Sequence, residues 1–329
     1  MVPSGPLTQL PFQVLVTAPP AGGDPRSIRW LARDHALTVL PAVSSIKALR
    51  RVDRGSGAER PMIGFGNPLL DGVEEDAEYA SLARTKQSCG DTAPQQQMVA
   101  LRKIRSAAAP VKAYGGLANL SHLRVQAPLP ETADEFCAVA ADLRADAAEM
   151  RLGNRATERE VKTLSTSGQL SDYRVVHFAT HGAMAGELRG SAEPGLVLTP
   201  PAEASTDDDG YLSASEIAGL RLDADWVILS ACNTAAGDAA GAQALSGLAR
   251  AFFYAQARAL LVSHWAVDSE ATVKLVTHAM REMTGDTSVG RAEALRRAML
   301  AMIDKGKPAE AHPAYWAPFI VVGEGARSR

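Results

Sequence analysis

Short apolar runs alternate with amphipathic helical segments along the second half of the chain, and this alternation constrains the fold more than any other feature. Apolar residues recur at helical spacing at 158–164, 213–220, 244–256, 270–283 and 289–303. Between these segments lie apolar runs at 174–179, 195–199, 226–230, 259–263 and 319–322. Strands that are apolar on both faces are typical of a sheet covered by helices on both sides. The sequence therefore predicts an α/β fold of three layers, with a mostly parallel central sheet flanked by helices.

The first half of the chain is less regular. Its pattern predicts a short strand at 7–17, a β-type run at 36–40, a short helix at 44–51, an apolar strand at 62–66 and a helix at 131–150. A turn at Asn67-Pro68 ends the apolar strand. Residues from 69 to about 130 mix charges, glycines and prolines, which indicates an irregular insertion. We expect a single domain over residues 1–329.

The overall composition narrows the class of protein. Hydrophobic residues make up 46% and charged residues 22% of the 329 residues, and the net charge is −3. This balance is typical of a soluble globular protein and gives no electrostatic reason to expect nucleic acid or a membrane surface as partner. The N-terminus lacks signal-peptide features, and no apolar run approaches the ~20 residues of a membrane span. We expect a cytoplasmic protein.

The three cysteines, Cys89, Cys137 and Cys232, are widely spaced. An odd number at such spacing does not form a disulfide framework, and no CxxC pair offers a zinc site. The sequence therefore predicts a reducing compartment. Cys89 lies in the irregular region and Cys137 on a helix, so both are interpreted as bystanders.

Two predicted strands end in side chains that can react. One leads to His181-Gly182 and the other to Cys232, 51 positions later. Because chemistry in parallel sheets collects at the carboxyl ends of strands, we expect both at one edge. A histidine beside a thiol supplies the base and the positive charge that a nucleophilic thiolate needs. The N–H groups of Gly182 and Cys232 are candidates for an oxyanion hole.

Each of these residues also has a structural interpretation. Cys232 alone is most often a buried strand-end cysteine, and His181 alone a structural cap. Their joint placement at two strand ends favours catalysis. His177, inside a strand, is interpreted as a core or sheet-face residue, and His264, after a later strand, as a weaker candidate for the rim of the site.

Further candidates lie near the other loops at this edge. Trp265 is a candidate wall of a pocket, and Asp268 is a candidate partner for a basic substrate side chain. The alternative is structural, since Asp268 or Ser269 would suit the N-cap of the helix that follows. The glycine-containing stretch at 237–243 lacks the Lys and Ser/Thr of a phosphate-binding loop, so it predicts a substrate-side loop.

Several sequence blocks together resemble the CHAT family of caspase-like peptidases, which are often joined to tetratricopeptide repeats and are similar to separases. The interval of 51 residues between His181 and Cys232 is close to the about 50 of the caspase signature. The resemblance covers nearly the whole chain and is weakest at 69–130. Its blocks are Gly64-Phe65-Gly66-Asn67-Pro68, His177-Phe178-Ala179-Thr180-His181-Gly182, Tyr211-Leu212-Ser213-Ala214-Ser215-Glu216-Ile217, 229–234 with the helix to Phe253, His312-Pro313-Ala314-Tyr315-Trp316-Ala317-Pro318-Phe319 and, more loosely, 263–268.

The resemblance implies a caspase-like fold and peptide-bond hydrolysis through a thioester, without metal or cofactor. It carries the base onto His181 and the nucleophile onto Cys232. Similarity to separases implies that an acidic residue reads a basic P1 side chain; Asp268 is the candidate, although Ser269 stands where the family often has a second acid. The implied partners are a protein or peptide substrate and a tetratricopeptide-repeat or other sensor region.

Family members usually carry a further strand and helical material before the Leu-Pro-Phe block, which begins here at residue 10. The resemblance thus predicts that the N-terminal part of the family domain is missing. Two alternatives to an endopeptidase remain open. One is a non-enzymatic protein-interaction module on the same fold, and the other is a Cys–His acyltransferase that passes the acyl group to another acceptor. Intact His181 and Cys232 favour the endopeptidase, because a scaffold needs neither.

Overall fold

A computed structural model describes residues 1–3, 7–8, 10–20, 22–40, 56–90, 113–114, 117–183, 193–230, 247–265 and 269–326. Within these residues a seven-stranded sheet forms the centre of the fold. Its strands, in chain order, are β1 (Thr38–Val39), β2 (Arg60–Gly66), β5 (Met150–Leu152), β6 (Tyr173–Ala179), β10 (Trp226–Leu229), β11 (Ala259–Ser263) and β12 (Phe319–Gly323). In space the order is β1-β12-β11-β10-β6-β2-β5.

Neighbouring strands in this sheet run parallel, except where β12 pairs antiparallel with β11. The predicted mostly parallel sheet is therefore confirmed. Five strands, β11, β10, β6, β2 and β5, share one direction, so their carboxyl ends meet at one edge.

The described helices are α1 (Leu31–Asp34), α2 (Ala77–Thr85), α3 (Leu120–Arg124), α4 (Glu131–Leu143), α5 (Glu158–Thr166), α6 (Ala214–Ala218), α7 (Gly247–Tyr254), α8 (Ser269–Gly285), α9 (Arg291–Lys305) and α10 (Pro313–Trp316). One face of the sheet packs against α4, α8 and α9 in a core that contains Trp226 and Ile228. The opposite face packs against α5 and α7 in a core that contains Val227 and Leu229. Since successive residues of β10 point to opposite faces, a strand with a helical layer on each side must be apolar throughout.

In the described part of the chain, two smaller antiparallel sheets accompany the central one. The pair of β3 (Ala113–Tyr114) and β4 (Leu117–Ala118) forms the first. The second has the order β7 (Gly182–Ala183), β8 (Gly195–Val197) and β9 (Tyr211–Ser213). It begins directly after His181, so it continues the chain from the carboxyl end of β6.

The N-terminal segment departs from one prediction. Residues 7–17 do not form the expected strand. Phe12–Val14 is a turn of 3-10 helix, and Val16 makes an isolated bridge with Trp30. Pro11 is the N-cap of this 3-10 turn and has no N–H to donate. The N–H groups at the start of a helix have no partner within the helix, so the turn loses no hydrogen bond there. The run at 36–40 does contain a strand, β1, whereas the helix predicted at 44–51 lies outside the described residues.

Cys89 and Cys137 are not the bystanders that the sequence predicted. They form a disulfide with a Cα–Cα distance of 5.4 Å across a sequence separation of 48. Spacing along the chain did not reveal the pair, because only the packing of the turn after α2 against α4 brings the two thiols together. The expectation of no disulfide is therefore wrong. Among the described residues, no helix is long and apolar enough to cross a membrane.

Candidate active site

The carboxyl ends of β6 and β10 lie side by side. The two strands pair in parallel, with His177 opposite Ile228 and Phe178 opposite Leu229. The ladder continues one residue further, because the Ser230 N–H donates to the Phe178 carbonyl oxygen at 2.9 Å. The chain therefore leaves β10 beside the point where β6 leads to His181. Cys232 follows Ser230 by two positions and lies outside the described residues.

His181 is 2% exposed and is held from several sides. Its backbone carbonyl accepts from the Val197 N–H at 2.9 Å. In its ring, Nε2 lies 2.7 Å from the carbonyl oxygen of Ala127. Because a carbonyl oxygen only accepts, Nε2 must carry the hydrogen. The neutral ring is thereby fixed in the Nε2–H tautomer, and Nδ1 carries the lone pair that can take a proton.

Gly182, the candidate oxyanion donor, is buried and begins β7, opposite Leu196 of β8. Before it, the Thr180 hydroxyl donates to the Val197 carbonyl oxygen. Residues on both sides of His181 are thus tied to β8. This anchoring limits the freedom of the strand end that presents the ring.

A buried polar cluster lies below this edge, on the side of the sheet covered by α4. Glu135 of α4, His177 of β6 and Ser230 are each fully buried. His177 Nε2 lies 2.9 Å from Ser230 Oγ and 3.0 Å from Glu135 Oε1. The Ser230 hydroxyl donates to Glu135 Oε1 at 2.5 Å. The Phe136 ring meets the His177 ring edge-on, with centroids 4.6 Å apart.

The beginning of α4 also contacts β2. The Thr132 hydroxyl donates to the Leu129 carbonyl oxygen at 2.7 Å and accepts from the Asn67 N–H at 2.8 Å. Asn67, which follows β2 with a φ of 48°, donates through Nδ2 to the Ala83 and Lys86 carbonyl oxygens. The segment from Ala127 into α4 therefore touches the ends of β2, β6 and β10.

Trp265 and His264 follow β11, the strand on the other side of β10. Trp265 is half-buried, and its ring lies at a tilt to the His264 ring, with centroids 6.4 Å apart. Burial lowers the pKa of His264 to about 4. Asp268 lies outside the described residues, as does the stretch 237–243. Because β11 runs parallel to β10 and β6, Trp265 and His264 lie at the same edge of the sheet as His181.

Sequence reasoning missed the Ala127 carbonyl, Glu135 and Ser230. Every residue has a carbonyl, so nothing in the sequence marks Ala127. The burial of Glu135 was predictable from its spacing. It lies four residues before Val139 and therefore on the same, buried face of α4. Ser230 stands within the block 229–234 of the family resemblance, which implies no role for it. Within the described part of the chain, no group of three or more His, Cys, Asp or Glu is arranged to hold a metal ion.

The chain was compared with protein-family models, curated proteins and solved structures. The family model described as "CHAT domain" matches residues 1–324. No curated protein sequence shows a significant match to this chain. Among solved structures, the crystal structure of the Arg-specific cysteine proteinase gingipain R (RgpB) is similar at 12% identity and a TM-score of 0.36, covering 59% of this chain and 41% of that one. The complex of Porphyromonas gingivalis RgpB pro- and mature domains is similar at 10% identity and a TM-score of 0.37, covering 86% of this chain and 69% of that one.

The mostly parallel sheet between two helical layers defines a mixed α/β protein of three layers. The CHAT domain model matches residues 1–324, and this match identifies the family. The chain belongs to the CHAT domain family. It spans about two fifths of the length of the gingipain R chain.

Proposed function

We propose that this chain is a cysteine endopeptidase in which Cys232 is the nucleophile and His181 its base. One observation carries the proposal. The Ala127 carbonyl holds the His181 ring in the tautomer whose Nδ1 can accept a proton, at the edge where the chain leaves β10 toward Cys232. The membership in the CHAT family supports the same chemistry.

The proposed reaction needs only residues of this chain and water. His181 Nδ1 takes the thiol proton of Cys232, and the thiolate attacks the scissile carbonyl carbon. Backbone N–H groups of Gly182 and Cys232 hold the negative oxygen of the tetrahedral intermediate. As the intermediate collapses, the C–N bond breaks and His181 returns the proton to the leaving amine. Water, deprotonated by His181, then hydrolyses the thioester to release the new carboxylate and restore the thiol.

Substrate recognition in this proposal involves Trp265 and Asp268. Trp265 supplies an aromatic wall beside the nucleophile, because β11 lies next to β10. Asp268 pairs with a basic P1 side chain. We also propose that a tetratricopeptide-repeat or other sensor region regulates access of the protein substrate to the site.

A peptidyl acyloxymethyl ketone probe and a peptide library test the proposed activity. The full chain is incubated with both, alongside Cys232→Ala, His181→Ala and, as a control for histidine loss elsewhere, His278→Gln. Mass spectrometry should find the probe on Cys232 in the wild type and in His278→Gln only. Cleaved peptides should gain one water across the broken bond.

Other outcomes separate the alternatives. Acyl transfer to an added amine in place of hydrolysis would identify an acyltransferase. Absence of both cleavage and His181-dependent labelling, even with candidate sensor proteins present, would contradict the enzyme and favour an interaction module.

A further inference from the structure

We infer that Glu135, His177 and Ser230 form a positioning network that fixes the relative placement of the two strand ends that lead to His181 and to Cys232. The inference rests on the proposed function, since it concerns the same site. None of the three side chains would touch substrate, because each is fully buried below the sheet edge. Their effect on the reaction would be transmitted through the two strands that carry the reacting groups.

The hydrogen bonds of the network form a consistent set. The Ser230 hydroxyl has one hydrogen and donates it to Glu135 Oε1. The Ser230 oxygen is then available to accept from His177 Nε2–H, which also faces the same carboxylate oxygen. Glu135 Oε1 thus accepts the Ser230 hydrogen and lies 3.0 Å from His177 Nε2, so one carboxylate oxygen contacts groups from both strand ends. A buried carboxylate is costly unless such donors surround it, so the three groups constrain one another.

The network joins the positions from which both reacting groups extend. His177 precedes His181 by four residues on β6, and Ser230 precedes Cys232 by two residues after β10. Glu135 reaches both from the neighbouring helix α4. Hydrogen bonds weaken steeply when their distance or angle changes, so these contacts select one arrangement of the two strand ends. The network therefore fixes the relative placement of the two strands near the point of chemistry.

The segment that leads into α4 holds His181 from a second direction. Ala127, which accepts from His181 Nε2, lies eight residues before Glu135 in the segment that leads into α4. The same segment therefore fixes the ring of His181 and the strand ends that flank it. A shift of α4 relative to the sheet would change both together, which makes Glu135 and Ser230 positioning residues rather than simple parts of the core.

The test measures the reactivity of the Cys232 thiol, which requires no substrate. Iodoacetamide alkylation of Cys232 is followed by peptide mapping between about pH 5 and 9, because an unperturbed thiol has a pKa of about 8.5. The chains compared are the wild type, Ser230→Ala, Glu135→Gln, Ser230→Thr and His181→Ala. The matched control is Ser165→Ala, which removes a buried hydroxyl that accepts from the Arg221 N–H on the opposite side of the sheet. Thermal melts establish that each variant is folded.

In the wild type, we expect a His181-dependent reaction well below the pH at which a free thiol reacts. Ser230→Ala and Glu135→Gln should lower that low-pH rate by about 10-fold or more, because small misplacements of reacting groups are costly. Ser230→Thr, which keeps the hydroxyl, should restore much of the rate, and Ser165→Ala should match the wild type.

Three results would overturn the inference. Folded network variants that keep the wild-type profile would remove the positioning role while leaving the dyad in place. A wild-type profile that is unaffected by His181→Ala would overturn the dyad itself, and the network role with it. If neither Ser230→Ala nor Glu135→Gln folds, the cluster is a requirement for folding and not a positioning device.

Discussion

His181 Nε2 and the carbonyl oxygen of Ala127 are 2.7 Å apart, although 54 residues separate them in the sequence. The contact decides which ring nitrogen can accept a proton. It comes from a backbone atom, so substitution of the Ala127 side chain would leave it intact. A spectroscopic measurement of the ring is the direct test.

The ring of His181 should be in the Nε2–H tautomer at neutral pH. Long-range ¹H–¹⁵N correlation spectra of ¹⁵N-histidine-labelled protein report the tautomer of each ring. His278 provides an internal control, because its Nδ1 lies 3.0 Å from the Lys274 carbonyl oxygen and should therefore carry the hydrogen. Opposite patterns are expected for the two histidines. An Nδ1–H tautomer at His181 would contradict the orientation on which the proposed base depends.

Loss of the Cys89–Cys137 disulfide should destabilise the fold. The bond closes a loop with a sequence separation of 48, for which the chain-entropy model gives about 4 kcal/mol. Urea unfolding of the Cys89→Ser, Cys137→Ser double variant should show this loss under non-reducing conditions. With reductant present, wild type and variant should become equally stable. A difference that persists in reductant would mean that the serines perturb packing instead.

The ion pair of Lys86 and Asp134 should respond unequally to loss of its two partners. Lys86 Nζ lies 2.6 Å from Asp134 Oδ2, and the Lys86 side chain is 2% exposed whereas that of Asp134 is 38% exposed. Asp134→Ala leaves a buried ammonium without its partner and should cost about 3 kcal/mol. Lys86→Met leaves a carboxylate that water can reach and should cost about 1 kcal/mol or less. Chemical denaturation of both variants checks the order, and equal losses would contradict it.

His264 should make the fold sensitive to acid. Burial lowers its pKa from 6.5 to about 4, so between these pH values the unfolded chain binds a proton that the folded chain does not. Stability should therefore be fully retained above about pH 6.5 and fall as the pH decreases toward 4, by about 3 kcal/mol for a shift of this size. In His264→Gln, the unfolding free energy should no longer show this decrease between pH 6.5 and about 4. His35→Gln, at an exposed histidine, should keep it. A wild-type slope in His264→Gln would contradict the assignment.

Asp268 should set the P1 preference if it pairs with a basic side chain. Asp268→Ala should reduce kcat/KM for peptides with Arg or Lys at P1 by roughly 10-fold to 100-fold, while peptides with neutral P1 residues change little. A P1 library measures the ratio. Asp268→Asn, which keeps the shape but not the charge, should lose the basic preference as well. Retention of the basic preference in both variants would exclude this role.

The regular half of the fold was predictable because burial on both faces leaves a clear pattern. The runs at 174–179, 226–230 and 259–263 correspond to β6, β10 and β11, since apolar residues on consecutive positions are needed between two helical layers. The short edge strand β5 was missed. The helix predicted at 131–150 ends at Leu143, because Arg144 takes a left-handed conformation with φ 53° and the chain then enters β5.

Less of the candidate site could be predicted, because its contacts join distant parts of the sequence. His177 was interpreted as a core or sheet-face residue and is fully buried, but its contacts with Glu135 and Ser230 depend on which helix covers β6. The Ala127 carbonyl and the Cys89–Cys137 bond likewise depend on packing that no local pattern encodes. The proposed roles of His181, Cys232, Gly182, Trp265 and Asp268 stay predictions.

The pairing of β1 with β12 has a consequence for synthesis of the protein on the ribosome. In the described sheet, β1 has β12 as its neighbour, and the Gln13 side chain donates to the Ala317 and Phe319 carbonyl oxygens. Gln13 is thus held by residues made 304 and 306 positions later. The sheet can assemble co-translationally from β2 to β11, but its N-terminal edge must wait for β12. Nascent chains arrested before residue 319 should therefore leave that edge accessible to chaperones and proteases.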